Sequence, residues 1–180
     1  MNKTIKTFAL LFTAGLVLAG CGQKQDSTAT TEATTTTVAP TTATPTTVYS
    51  LEDAKKAVFE ATSSSGTDTM TLYYKDDVLL KQEKVSTFII SKLSGDNPLE
   101  MLEKSAGKTK EKLKVLIGKG IEYNTDYKDG VFTITDSCDY TKVDIQKFKE
   151  IYPQIQFRDD NTLSYSKYRD SLLDTNYVEK

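Results

Sequence analysis

Residues 72–82 read Leu-Tyr-Tyr-Lys-Asp-Asp-Val-Leu-Leu-Lys-Gln, and residues 127–134 read Tyr-Lys-Asp-Gly-Val-Phe-Thr-Ile. Each is a β-rich run interrupted by a short polar turn, Lys75-Asp76-Asp77 in the first and Lys128-Asp129-Gly130 in the second. Both stretches predict hairpins, and in the second Asp129-Gly130 is a favoured tight-turn pair. Upstream of the first turn, residues 69–74 alternate, with Met70, Leu72 and Tyr74 on one face and Tyr73 on the other. Downstream, Val78–Ile90 reads as a second long strand, bent or bulged near Glu83. The second turn joins strands at Ile121–Tyr127 and Val131–Tyr140, where strand parity puts Cys138 on the face of Phe132 and Ile134.

Each hairpin leads into a helix. Asn97-Pro98-Leu99-Glu100 is a helix start: Asn in the cap position, Pro where its missing N–H costs nothing, Glu reaching back. Leu99, Leu102, Ala106, Leu113 and Leu116 then recur at helical spacing, with Gly107 weakening the middle and Gly118 and Gly120 ending it. After the second hairpin, Asp144 opens a short helix with Ile145, Phe148 and Ile151, closed by Pro153. A brief strand at Ile155–Phe157 and a last helix capped by Ser166 or a neighbour, carrying Tyr168, Leu172 and Leu173, complete the reading. Ahead of the first hairpin, Ser50 as a cap and Leu51, Ala54, Val58 and Ala61 predict a short helix. The order is that of an α+β fold: an antiparallel sheet from two hairpins, each followed by a helix, with the helices mainly on one face. The recurrence suggests a duplicated strand–strand–helix unit, although shared turn chemistry produces much of the likeness.

The N-terminal residues point to a location. Lys3 and Lys6 precede an apolar run, residues 8–19, which is shorter than the ~20 residues needed to span a bilayer. Small residues follow, and then Cys21. The segment Leu18-Ala19-Gly20-Cys21 resembles the lipobox of bacterial lipoprotein signal peptides. The resemblance implies that residues 1–20 are removed and that Cys21 carries the lipid. Two acyl chains at ~0.8 kcal/mol per CH₂ give stable anchoring.

Residues 21–48 are rich in Thr and Ala, with Pro40 and Pro45. They offer almost no large apolar side chains to offset the entropy of ordering, so the expectation is a disordered tether. Residues 49–180 remain for a single domain, enough to bury a core without staples.

The chain has 180 residues, 23 basic and 25 acidic, with no His. Loss of residues 1–20 removes two lysines and no acid. This balance argues against nucleic acid, which requires a clustered basic face, and against a polybasic grip on anionic lipid. With Cys21 lipidated, Cys138 is left alone. Neither an intramolecular disulfide nor a cysteine zinc site is then available, and Cys138 reads as a small buried apolar residue.

Residues 72–82, the run 131–134 and its continuation Tyr140-Thr141-Lys142-Val143-Asp144 resemble the YehR-like family of small bacterial lipoproteins. Lipobox, hairpin, long helix, second hairpin and terminal helix come in that family's order over roughly residues 68–180. The resemblance implies a small α+β domain of unknown function and supplies no catalytic residues. The long Thr tether and the helix at 51–61 read as departures from the family.

No chemistry-bearing motif survives inspection. Without His, the commonest general base and every His-containing triad are excluded. Ser105-x-x-Lys108 and Ser164-x-x-Lys167 lack the companion motifs of the penicillin-binding enzymes. Gly107-Lys108-Thr109 lies within a helix rather than after a strand, and lacks the first glycine of a phosphate loop. Asp76-Asp77, Asp126/Asp129 and Asp159-Asp160-Asn161 are turn formers without the alternation of a calcium loop. No metal or other cofactor is expected. Tyrosine, ten residues in all, offers contact area with a polar tip, and Tyr73 and Tyr127 are the candidates for a binding surface.

The expected function follows: a non-enzymatic binding domain, lipid-anchored on the extracytoplasmic face of the bacterial cell membrane, with a protein or cell-wall partner. The alternatives are a small solute-binding lipoprotein and a His-independent enzyme acting on wall polymer or lipid.

Overall fold

The computed structural model describes residues 49–180. Its elements run β1 (Lys55–Ser63), β2 (Gly66–Lys75), β3 (Val78–Ile89), α1 (Pro98–Leu113), β4 (Ile121–Lys128), β5 (Val131–Asp139), α2 (Ile145–Ile151), β6 (Leu163–Ser164), α3 (Tyr165–Leu173) and β7 (Val178–Glu179). The fold is α+β. One antiparallel sheet has the order β4-β5-β3-β2-β1-β7, with β6 pairing β3.

Both expected hairpins form. Asp76 and Asp77 have φ of 47° and 63°, and Asp129 and Gly130 have φ of 52° and 80°. Positive φ at both central residues is the requirement of a type I′ turn, whose twist matches that of the flanking strands. Asp tolerates this region because its short polar side chain bonds locally.

The predicted helix over 51–61 is instead strand β1. Ala57, Phe59 and Ala61 alternate onto the core, paired with Leu72, Met70 and Asp68 of β2. The helical spacing of Leu51, Ala54, Val58 and Ala61 passed over Phe59, which is fully buried, and pairing along the whole of β2 outweighs a weak local propensity. The irregularity expected near Glu83 lies earlier. Tyr73 pairs Lys81 and Tyr74 pairs Leu79, so Leu80 is the extra residue. No strand forms at 155–157; the short strand is Leu163–Ser164. Asn97 sits at the N-cap of α1, but its side chain donates to Glu100 Oε2 at 2.6 Å and caps no backbone amide. Ser164 caps α3 through the Lys167 amide.

The apolar residues form two clusters on one face of the sheet. One joins α1, β4, β5 and α2 through Leu102, Ala106, Ile121, Phe132, Ile134 and Phe148. The other joins β1, β2, the start of β3 and α3 through Phe59, Met70, Leu72, Leu79 and Leu172. The opposite face carries Thr69, Thr71, Val85, Thr133 and Thr135, all partly or fully exposed.

Candidate functional site

Between the two clusters lies a polar seam. β3 runs down the middle of the sheet, and its core-facing residues there are Gln82, Lys84 and Ser86, each buried. Lys84 is flanked across the strands by Met70 and Asp136. Its Nζ lies 3.5 Å from Asp68 Oδ2, and that carboxylate also accepts from the Tyr177 hydroxyl at 3.4 Å. Tyr140 donates its hydroxyl to Gln82 Oε1 at 3.1 Å.

Asp136 is 1% exposed, and neither carboxylate oxygen has a hydrogen-bond partner among the described residues. Burial pushes its carboxyl up to about 8, Lys84 pulls it back and Asp68 pushes it further. A carboxyl so placed keeps its proton at neutral pH, which removes the cost of burying a second uncompensated anion. Cys138 is buried and free, with its thiol raised by burial. That placement matches the structural role expected of it, since reactivity requires an accessible thiolate.

A cleft opens at the other end of the same face. α1 contributes Glu103, Ala106, Gly107 and Lys110, and β4–β5 contribute Tyr123, Thr125, Asp126, Tyr127 and Phe132, around about 330 Å³. Gly107 lines it without a side chain, and a Cβ built there meets nothing within 4 Å. Tyr127 is 47% exposed at its mouth. Aromatic surface faces two acidic side chains, Glu103 and Asp126, and one basic one, Lys110, an arrangement suited to binding an amphipathic group.

The two tyrosines predicted as a binding surface are not brought together. Tyr127 shares the parity of Tyr123 and Ile121 on the helix-covered face. Tyr73 lies on the open face, where its hydroxyl donates to Glu83 Oε2 at 2.9 Å and Lys81 Nζ stands 5.6 Å from its ring centroid. Lys81 also bonds Glu83 Oε1 at 2.6 Å. Burial raises the Tyr73 hydroxyl pKa, and the Glu83 carboxylate raises it further. Tyr73 is thus tied into a surface network, whereas Tyr127 lines the cleft. Cys21 lies outside the described residues.

Sequence reasoning missed the seam and the α1 wall of the cleft. The seam had a signal: Gln82, Lys84 and Ser86 share the parity of Phe88, which the expectation of a bend near Glu83 concealed. The cleft had only Gly107, which read as a weak point in a helix. Among the described residues, no group of three or more His, Cys, Asp or Glu could hold a metal ion, and no helix is long and apolar enough to cross a membrane.

A solved structure shares this architecture. The E. coli YehR protein, solved by NMR, superimposes with a TM-score of 0.52 at 19% identity, covering 71% of this chain and 91% of its own. A Streptococcus pneumoniae TIGR4 protein, also solved by NMR, gives a TM-score of 0.48 at 16% identity, covering 87% of this chain and all of its own. No functionally curated protein matches the chain. A family model matches residues 55–178, so the segment read as an added helix is the first strand of the family domain. The chain belongs to the DUF1307 family, whose description is a protein of unknown function.

Proposed function

We propose that this protein is a lipid-anchored envelope protein, held on the extracytoplasmic face of the bacterial membrane through Cys21. Its DUF1307 domain is a non-catalytic binding module for a protein or cell-wall partner. The location rests on Leu18-Ala19-Gly20-Cys21 and the apolar run before it. The binding role is carried by the α1–β4 cleft, where Tyr127, Tyr123 and Phe132 face Glu103 and Lys110 across the space that Gly107 lines. A module of this kind needs a rigid aromatic anchor with charged groups at its rim.

Two measurements test the reading. Mass spectrometry of the native protein should find the chain beginning at an acylated Cys21, and Cys21→Ala should release it from membranes. An unmodified Cys21 on a membrane-free product defeats the anchor. Crosslinked envelope fractions should yield a partner that is lost in Gly107→Leu, which fills the cleft, and in Tyr127→Ala. A partner retained by both variants defeats the cleft as the binding surface.

A further inference from the structure

We infer that β4 is a self-association edge: two copies of the chain pair antiparallel through Glu122–Lys128 about a twofold axis at Thr125, joining their sheets into one. This depends on neither the lipid anchor nor the cleft.

β4 is the terminal strand of the sheet, with β5 on one side and no strand on the other among the described residues. It pairs β5 without a register shift over its whole length. At the opposite edge, by contrast, β1 is partly covered, with β7 pairing it at Phe59 and Glu60 and the Lys180 amide bonding Val58 O. At the start of β4, the Ile121 carbonyl already accepts the Gly118 amide at 2.8 Å. The edge left for a partner is therefore residues 122–128.

The hydrogen-bond phase of this edge follows from the turn. Lys128 and Val131 close a two-residue turn, so they form the first hydrogen-bonded pair of the hairpin. Alternation along an antiparallel ladder then directs the backbone groups of Lys128, Asp126, Asn124 and Glu122 toward β5. The odd-numbered residues direct theirs outward. A second copy must accordingly pair odd with odd, which limits the registers.

Among these registers, the sequence Glu-Tyr-Asn-Thr-Asp-Tyr-Lys selects one. Centred on Thr125, Glu122 faces the second copy's Lys128, Tyr123 faces its Tyr127, and Asn124 faces its Asp126. The one charge pair, Glu122 with Lys128, is of opposite sign and by symmetry occurs twice, while Asp126 faces the neutral Asn124. Centred on Asn124, Glu122 would face Asp126; centred on Asp126, that carboxylate would face itself; centred on Tyr127, Asp126 would face Lys128 but only residues 126–128 of each edge would overlap. Like charges directly opposite destabilise a ladder and opposite charges support it. A closed twofold contact needs such a self-complementary patch. Directly opposed residues share a face, so the second copy's exposed Tyr127 comes to lie beside Tyr123, and the two α1–β4 clefts open side by side.

Sedimentation equilibrium of the full-length chain tests this. The protein should dimerise, and Glu122→Lys or Lys128→Glu alone should weaken association by about tenfold, each converting two attractive pairs to repulsive ones. The double variant Glu122→Lys/Lys128→Glu should restore it, a recovery that misfolding cannot imitate. Independently, Thr125→Cys should form a covalent dimer on mild oxidation, because hydrogen-bonded antiparallel partners stand ~5.5 Å apart between Cα atoms, within disulfide range. Asn124→Cys, which faces Asp126, should not. A chain monomeric at every concentration, a double variant as weak as the singles, or equal crosslinking by both cysteine variants overturns the inference.

Discussion

Lys84 and Asp136 stand directly opposite one another on β3 and β5, both almost fully buried, yet the lysine's ion pair is with Asp68 on the other side. The seam thus holds one ion pair and one neutral carboxyl rather than a three-charge cluster. This resolves how a polar line can cross the middle of a small core. One cation is matched by one anion, and the remaining acid keeps its proton.

Asp136 should make stability depend on pH in a specific direction. Its folded-state carboxyl is raised to about 8, whereas the unfolded chain ionises near the ordinary value of ~3.9. The contribution is fully present below the unfolded value and is lost as pH rises through about 8. Asp136→Asn removes this dependence. The variant should gain on the wild type between pH 4 and pH 8, by an amount on the order of a few kcal/mol. Thermal unfolding across that range checks it, and a constant difference between the two proteins would contradict the protonated state.

Asp77 should matter in the opposite sense. From the β2–β3 turn its carboxylate receives the Ser166 amide at 2.7 Å, the Ser164 hydroxyl at 3.0 Å and the Arg158 guanidinium. It thereby fastens that turn to the start of α3. Burial would raise its carboxyl, but these donors hold it below the ordinary range. Its contribution is present above that range and is lost as pH falls through the lowered value. Asp77→Ala should cost about 1–3 kcal/mol at neutral pH. The deficit should shrink on acidification, as followed by denaturant unfolding.

Gly107→Ala should stabilise. The position is within α1, its added Cβ meets nothing within 4 Å, and Gly costs ~1 kcal/mol relative to Ala in a helix interior. A rise in melting temperature is the expected result. A fall would mean that Gly107 is held by packing rather than left open by the cleft.

Gly66→Ala should do the reverse. A Cβ there would lie 1.9 Å from the Thr87 carbonyl oxygen, a backbone atom that cannot swing aside. Displacing the β1–β2 turn from β3 should cost about 1–3 kcal/mol. The loss should appear as lowered stability together with faster amide exchange at Ile89, whose N–H bonds Ser65 O at 2.8 Å.

The sequence alone determined the elements whose signals are local. The two turns lie where Asp76-Asp77 and Asp129-Gly130 tolerate left-handed backbone. α1 begins at Pro98, α2 begins after Asp144, and Met70, Leu72, Phe132, Ile134 and Cys138 face inward because strand parity fixes their side. These features are set by steric limits on a few adjacent residues, so a few adjacent residues suffice to read them. Three-dimensional pairing decided the rest. Residues 55–63 became a strand because β2 was there to pair with, Tyr73 and Tyr127 were parted onto opposite faces, and Lys84 met its anion from a different strand. A buried charge is tolerable only with partners brought from afar, and a cleft exists only between elements that have already packed. Neither can be written in any short run of residues.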